Sequence, residues 1–239
     1  MTKIKIAHLY YDIMNLYGEH GNILALEHHL KMHSIPYSVD YLSMEDKIDF
    51  NKYDLFYIGA GNEEAFTLVL DNIMKYQSDI KSAIKNNKFF IITGNAINFF
   101  GKNYHKLDNS TINALNILDY EAFETDFRIV GEQSYTCKNT EEIIGFQNRS
   151  SVLKYVKEPF LFEVKTGTGY VPNSKEEGIH KKNFYGTYLL GPILIRNPHF
   201  TEHIISMLCK EKSLPYEYYH DELEEKAYNE YKKNLLHEE

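Results

Sequence analysis

A chain of 239 residues with 43% hydrophobic and 14% aromatic content can bury one large α/β core and is too apolar to remain disordered. Its formal net charge of −8, without a long basic run, excludes binding driven by nucleic-acid phosphates. No apolar run approaches the ~20 residues of a membrane span. The first residues alternate like a strand rather than a signal peptide, and the two cysteines, Cys137 and Cys209, suit a reducing compartment. The expected localisation is therefore cytoplasmic.

In chain order, Ile4–Tyr10 alternates apolar and polar residues and predicts a first strand. A loop with two glycines, Asn15–Asn22, precedes a helical period carried by Ile23, Leu24, Leu26 and Leu30, which ends near Ser34-Ile-Pro36. Tyr37–Tyr41 and Asp54–Ile58 predict two more strands, the latter running into Gly59-Ala-Gly61. Helical patterns over Glu64–Tyr76 and Asp79–Asn86 lead to a buried strand, Phe89–Thr93, that turns sharply at Gly94 into a helical segment. Strands alternating with helices at this spacing predict an α/β fold with a mostly parallel central sheet.

After Tyr104 the pattern becomes β-rich. Short strands are predicted at Asn116–Tyr120, Arg128–Val130, Ser134–Cys137, Ile143–Asn148, Phe160–Val164 and Asn183–Leu190, to extend or cover the sheet. Thr201–Lys210 predicts a helix with Ile204, Ile205, Leu208 and Cys209 on one side. A charged tail, about 217–239, spaces Leu223, Ala227, Tyr231 and Leu235 four apart, the stripe of a helix that packs on its own domain or binds a partner. With no internal repeat or linker, residues 1–239 are expected to form a single domain.

The turn at Thr93-Gly94-Asn95 has the form of a nucleophile elbow, with glycine where a nucleophile would stand. Gly59-Ala-Gly61 and Gly186–Pro192 should converge on it at the carboxyl ends of parallel strands. Gly59-Ala-Gly61 is suited either to offering backbone N–H groups to an oxyanion or simply to a tight strand-to-helix turn.

Five segments carry a family resemblance: Ile58-Gly-Ala-Gly61, Gly94 with Phe100-Gly-Lys-Asn-Tyr104, Gly145-Phe-Gln-Asn148, Glu177-Gly-Ile-His180 and Gly186–Ile193. Together they resemble the class I glutamine amidotransferases of the cobyric acid synthase-like (CobB/CobQ-like) branch, and within it the small subunits of bacterial lipid II isoglutaminyl synthases. The opening Asn15-Leu-Tyr and Gly21-Asn-Ile23 agree, so the resemblance spans residue 4 to about 220. It implies a flavodoxin-like fold without metal or cofactor, in which a Cys attacks the glutamine amide, a His moves the proton and backbone amides hold the oxyanion. It also implies a Mur-ligase-like partner subunit that receives the ammonia.

The chain departs from that pattern at the chemistry. Gly94 stands at the Cys position and Leu190 at the His position; Ala60 and Asn95 replace glycines of the oxyanion loop and elbow, and Arg149-Ser-Ser follows Asn148. No catalytic residue is therefore expected, with Gly59, Ala60, Gly61 and Asn95 left as the oxyanion loop and pocket. Thr93, one residue early, should point to the opposite face. Cys137, Cys209 and His180 are read as structural, and nothing in the sequence singles out Ser150 or Ser151 as a substitute nucleophile. By resemblance, Arg128 corresponds to the arginine that holds the substrate glutamine; the other reading is a surface ion pair. Three functions stay open: a non-catalytic subunit paired with a Mur-ligase-like protein, an active glutaminase, or a stand-alone glutamine- or glutamate-binding module.

Overall fold

In the computed structural model, which describes residues 2–138 and 140–237, the apolar runs of the first half become strands separated by helices. The order is β1 (Ile4–Leu9), α1 (His20–Met32), β2 (Tyr37–Leu42), β3 (Leu55–Ile58), α2 (Glu63–Ile73), α3 (Gln77–Lys85) and β4 (Phe89–Thr93). The second half supplies β5 (Asn103–His105), β6 (Thr111–Asn113), β7 (Glu121–Thr136), β8 (Ile143–Lys154), β9 (Phe160–Thr166), β10 (Glu176–Lys181) and β11 (Phe184–Thr187). Then α4 (Ile193–Arg196), α5 (Pro198–Glu211) and α6 (Glu222–His237) follow.

The strands form one sheet in the order β2-β1-β3-β4-β11-β10-β9-β7-β5-β6, with β8 paired to β7. From β2 to β11 they run parallel, and β10, β9, β7 and β8 continue antiparallel. This is the mostly parallel α/β sheet expected, and the β-rich half extends it.

Alternate side chains of a strand point to opposite faces, and the core divides accordingly. Ile4, Ile6, Leu55, Tyr57, Phe89 and Ile91 pack with Ile23, Leu26 and Leu30 of α1 and Ile204 and Leu208 of α5. Ala7, Leu9, Phe56, Ile58, Phe90 and Ile92 pack with Phe66, Val69 and Ile73 of α2 and Ile80 and Ile84 of α3. Because β3 and β4 are buried along their whole length, they read as continuous apolar runs. Among the described residues, no helix is long and apolar enough to cross a membrane.

Several boundaries differ from the expectation. Asn116–Tyr120 is a loop, not a strand: Asn116 has φ +48, and the N–H groups of Leu115, Ile117 and Leu118 donate to the carbonyls of Phe99 and Phe100. Leu118 and Tyr120 are buried, so their apolar signal records a loop folded onto the core. The same loop shortens the helix expected after Thr93 to a 3-10 segment, Gly94–Phe99. The Ile97 carbonyl is taken by the Phe100 N–H and by the Tyr120 hydroxyl at 2.5 Å, and the carbonyls of Phe99 and Phe100 serve the loop. Few acceptors remain for a further helical turn.

The strands expected at Arg128–Val130 and Ser134–Cys137 belong to one long β7, whose register against β8 shifts between Glu124 and Ile129 and which passes Gly131 at φ +148. Such irregularities resemble breaks in a sequence pattern. Asn183–Leu190 pairs as a strand only over Phe184–Thr187, with Leu190 forming an isolated bridge to Phe146.

The charged terminal helix begins at Glu222 rather than 217; residues 238 and 239 lie outside the described residues. The stripe read from its apolar residues is also corrected. Leu223 and Ala227 are exposed, whereas Tyr228 is buried and donates to the Glu142 carbonyl at 2.7 Å. Ion pairs His199–Glu225 (2.8 Å) and Lys232–Glu142 (3.3 Å) and the 2.5 Å bond from Arg196 to the Tyr231 hydroxyl hold the rest. Of the stripe, Tyr231 thus takes part in docking α6 on its own chain, while Leu223 and Ala227 do not.

Candidate functional site

β3, β4 and β11 run parallel and end side by side, bringing three loops to one sheet edge: Gly59-Ala-Gly61, Gly94-Asn95 and Tyr188–Leu190. Thr93 is extended (φ −120), and Gly94 turns at φ +59, a left-handed conformation in which a side chain is strained. A Cβ at position 94 would lie 2.6 Å from the Ala60 Cβ and 2.8 Å from the Leu190 Cδ2. Ala60 and Leu190, both buried, thus close over the point from which a nucleophile would project.

Asn95 turns back onto the first loop. The Gly61 N–H donates to Asn95 Oδ1 at 3.0 Å, and Asn95 Nδ2 donates to the Gly61 carbonyl at 2.8 Å. The loop group suited to receiving an oxyanion is therefore already bonded within the chain. The Ala60 carbonyl accepts the Leu16 N–H at 2.9 Å. Gly59 packs against Met14 and Glu19, where any Cβ would come within 2.6 Å of the Met14 carbonyl oxygen.

Behind the elbow is a buried polar cluster that sequence reasoning missed. Strand alternation sends Thr93 to the α1 face, where its hydroxyl donates to Glu19 and lies 2.9 Å from the Tyr57 hydroxyl. Tyr57 donates to Glu19 Oε2 at 2.6 Å and accepts from Asn22 at 2.8 Å. Burial pushes the Glu19 carboxyl up to about 7, against the pull of the bonds from Thr93 and Tyr57 and of the Ala60 backbone. Glu19 Oε1 is buried without a hydrogen-bond partner among the described residues. A lone Glu in a Gly-rich loop gave no signal of this.

On the other side of the elbow opens a cavity of about 460 Å³, lined by residues that include Ala60, Gly61, Asn95, Arg128, Arg149 and Leu190. Gly59 and Gly94 do not line it. Arg128 donates from Nε to Asn148 Oδ1 at 2.6 Å, and Asn148 donates onward to the Tyr17 hydroxyl at 2.9 Å. Arg128 forms no ion pair among the described residues. Glu63, Glu64 and Glu124 also line the space.

Arg149 is buried. It donates to Gln147 Oε1 (2.8 Å) and to the carbonyls of Gly169 (2.6 Å) and Ser151, over the Tyr188 ring at 4.0 Å. Ser151 Oγ accepts from Asn98 at 3.0 Å and donates to the Tyr188 hydroxyl at 3.3 Å. No cysteine or histidine is among the described lining residues. Both cysteines are free thiols whose pKa burial raises, Cys209 to about 11, and His180 stacks on Tyr185 at 4.7 Å. The arrangement offers hydrogen-bond donors and acceptors for polar recognition.

A parallel sheet with a sharp elbow after β4 and a glycine loop after β3 at its carboxyl edge is the fold of a glutamine amidotransferase-type α/β domain. Residues 5–198 match the CobB/CobQ-like glutamine amidotransferase domain, and the chain belongs to that family. Within it, the chain is 31% identical over 217 residues to subunit GatD of the glutamine-hydrolysing lipid II isoglutaminyl synthase of Staphylococcus aureus (strain N315), covering 91% of this chain and 89% of that one. It is 28% identical over 214 residues to GatD of Streptococcus pneumoniae (strain ATCC BAA-255 / R6), covering 88% and 82%. The fold is also that of the glutaminase domain of Trypanosoma brucei CTPS, solved with bound acivicin: TM-score 0.55, 10% identity, 91% of this chain and 97% of that one covered.

Proposed function

We propose that this chain is a non-hydrolysing GatD-type subunit that works in the cytoplasm beside a Mur-ligase-like partner in the amidation of lipid II stem peptides. The observation that carries this reading is the closure of the elbow. Glycine at 94 brings no sulfur, Leu190 brings no base, and the two are packed so closely that even a Cβ at 94 would sit 2.8 Å from Leu190. The thiol chemistry of this family uses a thiolate beside a proton acceptor, and positions 94 and 190 supply neither. The Asn95–Gly61 bonds remove an oxyanion donor as well. The subunit then serves its ligase as a structural or regulatory partner, with ammonia coming from elsewhere.

The test is a pull-down of Mur-ligase-like protein with this chain, together with an ammonia-release assay on glutamine for the chain and the complex. Co-purification without ammonia release is expected. Ammonia release at the rate of a working glutaminase would overturn the reading.

Arg128 favours a second reading, an amino-acid-binding module. Its guanidinium lines the cavity with no acidic partner among the described residues, and such a group can fork onto a carboxylate. Saturable glutamine or glutamate binding without any partner, lost in Arg128→Ala, would favour it; no binding at millimolar ligand would remove it.

A further inference from the structure

Far in sequence from the elbow loops, α1 and the start of α6 bring together a second group of chemistry-bearing side chains. His28 Nε2 lies 3.5 Å from Asp221 Oδ2 and 3.8 Å from Glu224 Oε1, and the three donor atoms all lie within 4.8 Å of one another. Both contacts to His28 exceed a good hydrogen bond. The shorter of them matches two ligands on one metal, because donors about 2.1 Å from a tetrahedral zinc ion stand roughly 3.4 Å apart, and the longer is somewhat wider.

The unused atoms of the carboxylates are tethered in ways that leave these donors free. Asp221 Oδ1 caps α6, accepting the N–H groups of Leu223 (2.9 Å) and Glu224 (3.2 Å), so Oδ2 is turned toward His28. Glu224 Oε2 lies 3.0 Å from His29 Nε2, so Oε1 points toward His28. His29 is itself fixed by buried Glu202 at 2.5 Å, and Glu202 accepts from Tyr216 at 2.6 Å. An outer shell that orients the ligating carboxylates in this way is what metal sites require. His28 is half exposed, which leaves an entry path and room for water to complete the coordination.

We propose that His28, Asp221 and Glu224 form a one-histidine, two-carboxylate site for a divalent transition metal of the zinc and cobalt class, which clamps α6 to α1. The imidazole selects this class over magnesium and calcium, which prefer all-oxygen sites. The site stands apart from the elbow and does not rest on the function proposed above.

The experiment titrates the full chain, purified without an affinity tag, with Co²⁺ followed by visible absorption and with Zn²⁺ followed by calorimetry and melting temperature. One equivalent should bind, with a rise in melting temperature and slower proteolysis within α6. His28→Ala, at an exposed position that leaves the fold intact by circular dichroism, should weaken binding by about 100-fold or more, beyond the roughly 10–100-fold typical of losing an outer-shell partner. Asp221→Asn should weaken it as well. Absence of saturable binding by the wild type, or equal affinity in the wild type and both variants, would overturn the proposal.

Discussion

The carboxamide of Asn95 pairs with both backbone groups of Gly61, accepting its N–H at 3.0 Å and donating to its carbonyl at 2.8 Å. A side chain at the elbow thereby ties the end of β4 to the loop that follows β3. The recognition edge of the sheet is held in shape by the protein itself.

That pairing predicts a stability cost when it is removed. Each internal hydrogen bond contributes about 0.5–1.5 kcal/mol net, so Asn95→Ala should lose about 1–3 kcal/mol in urea denaturation. It should also show no ammonia release from glutamine, because position 94 still carries no thiol. An unchanged unfolding midpoint would mean that water replaces Asn95 at no cost.

Restoring the sulfur should destabilise the chain. Gly94→Cys places a Cβ in left-handed backbone and within 2.6–2.8 Å of Ala60 and Leu190. Backbone strain and overpacking each cost about 1–3 kcal/mol, so the melting temperature should drop clearly, and the further drop that Gly94→Cys adds should be smaller in a Leu190→Ala background. Gly94→Cys with Leu190→His should give weak or no glutaminase activity, since Asn95 and Ala60 still shape the loop. A rise in melting temperature for Gly94→Cys, or family-like rates in the double variant, would contradict this account.

Glu19 predicts a pH dependence. Its carboxyl titrates near 7 when folded, against 4.5 without burial. Between those values the native state holds a proton that the unfolded state has lost, so stability falls as pH rises from about 4.5 through 7 and then levels. Glu19→Gln removes this penalty. Relative to wild type it should gain on the order of 3 kcal/mol between pH 4.5 and 8, at about 1.4 kcal/mol per pH unit. Urea midpoints of the two proteins across that range measure it, and a constant difference would show that Glu19 is ionised in the fold.

Arg149 sets two opposing effects against each other. Burial depresses its pKa, while its guanidinium satisfies the Gly169 and Ser151 carbonyls and Gln147. Buried acceptors left unpaired cost about 1–3 kcal/mol each, so Arg149→Met should lose about 2–4 kcal/mol. Arg149→Lys should recover little, because a point charge cannot reproduce the fork. A variant as stable as wild type would mean that desolvating the guanidinium offsets its bonds.

Much of this was open to reading in the chain alone. Strands alternating with helices predicted the mostly parallel sheet, and the position of the glycine loops after its strands predicted that they meet at its carboxyl edge. The sequence also determined, with no geometry needed, that positions 94 and 190 carry neither sulfur nor imidazole. What fills the space they leave was decided only by the tertiary structure. Asn95 meets Gly61 across 34 residues, Thr93 meets Glu19 across 74, and Leu190 closes on Gly94 from another strand end. Local periodicity reports the face on which a residue lies, whereas its partner is set by how distant segments pack. For the same reason the apolar spacing of α6 finds a helix that packs on its own chain through Tyr231, but not the Tyr228 and ion-pair contacts that hold it there.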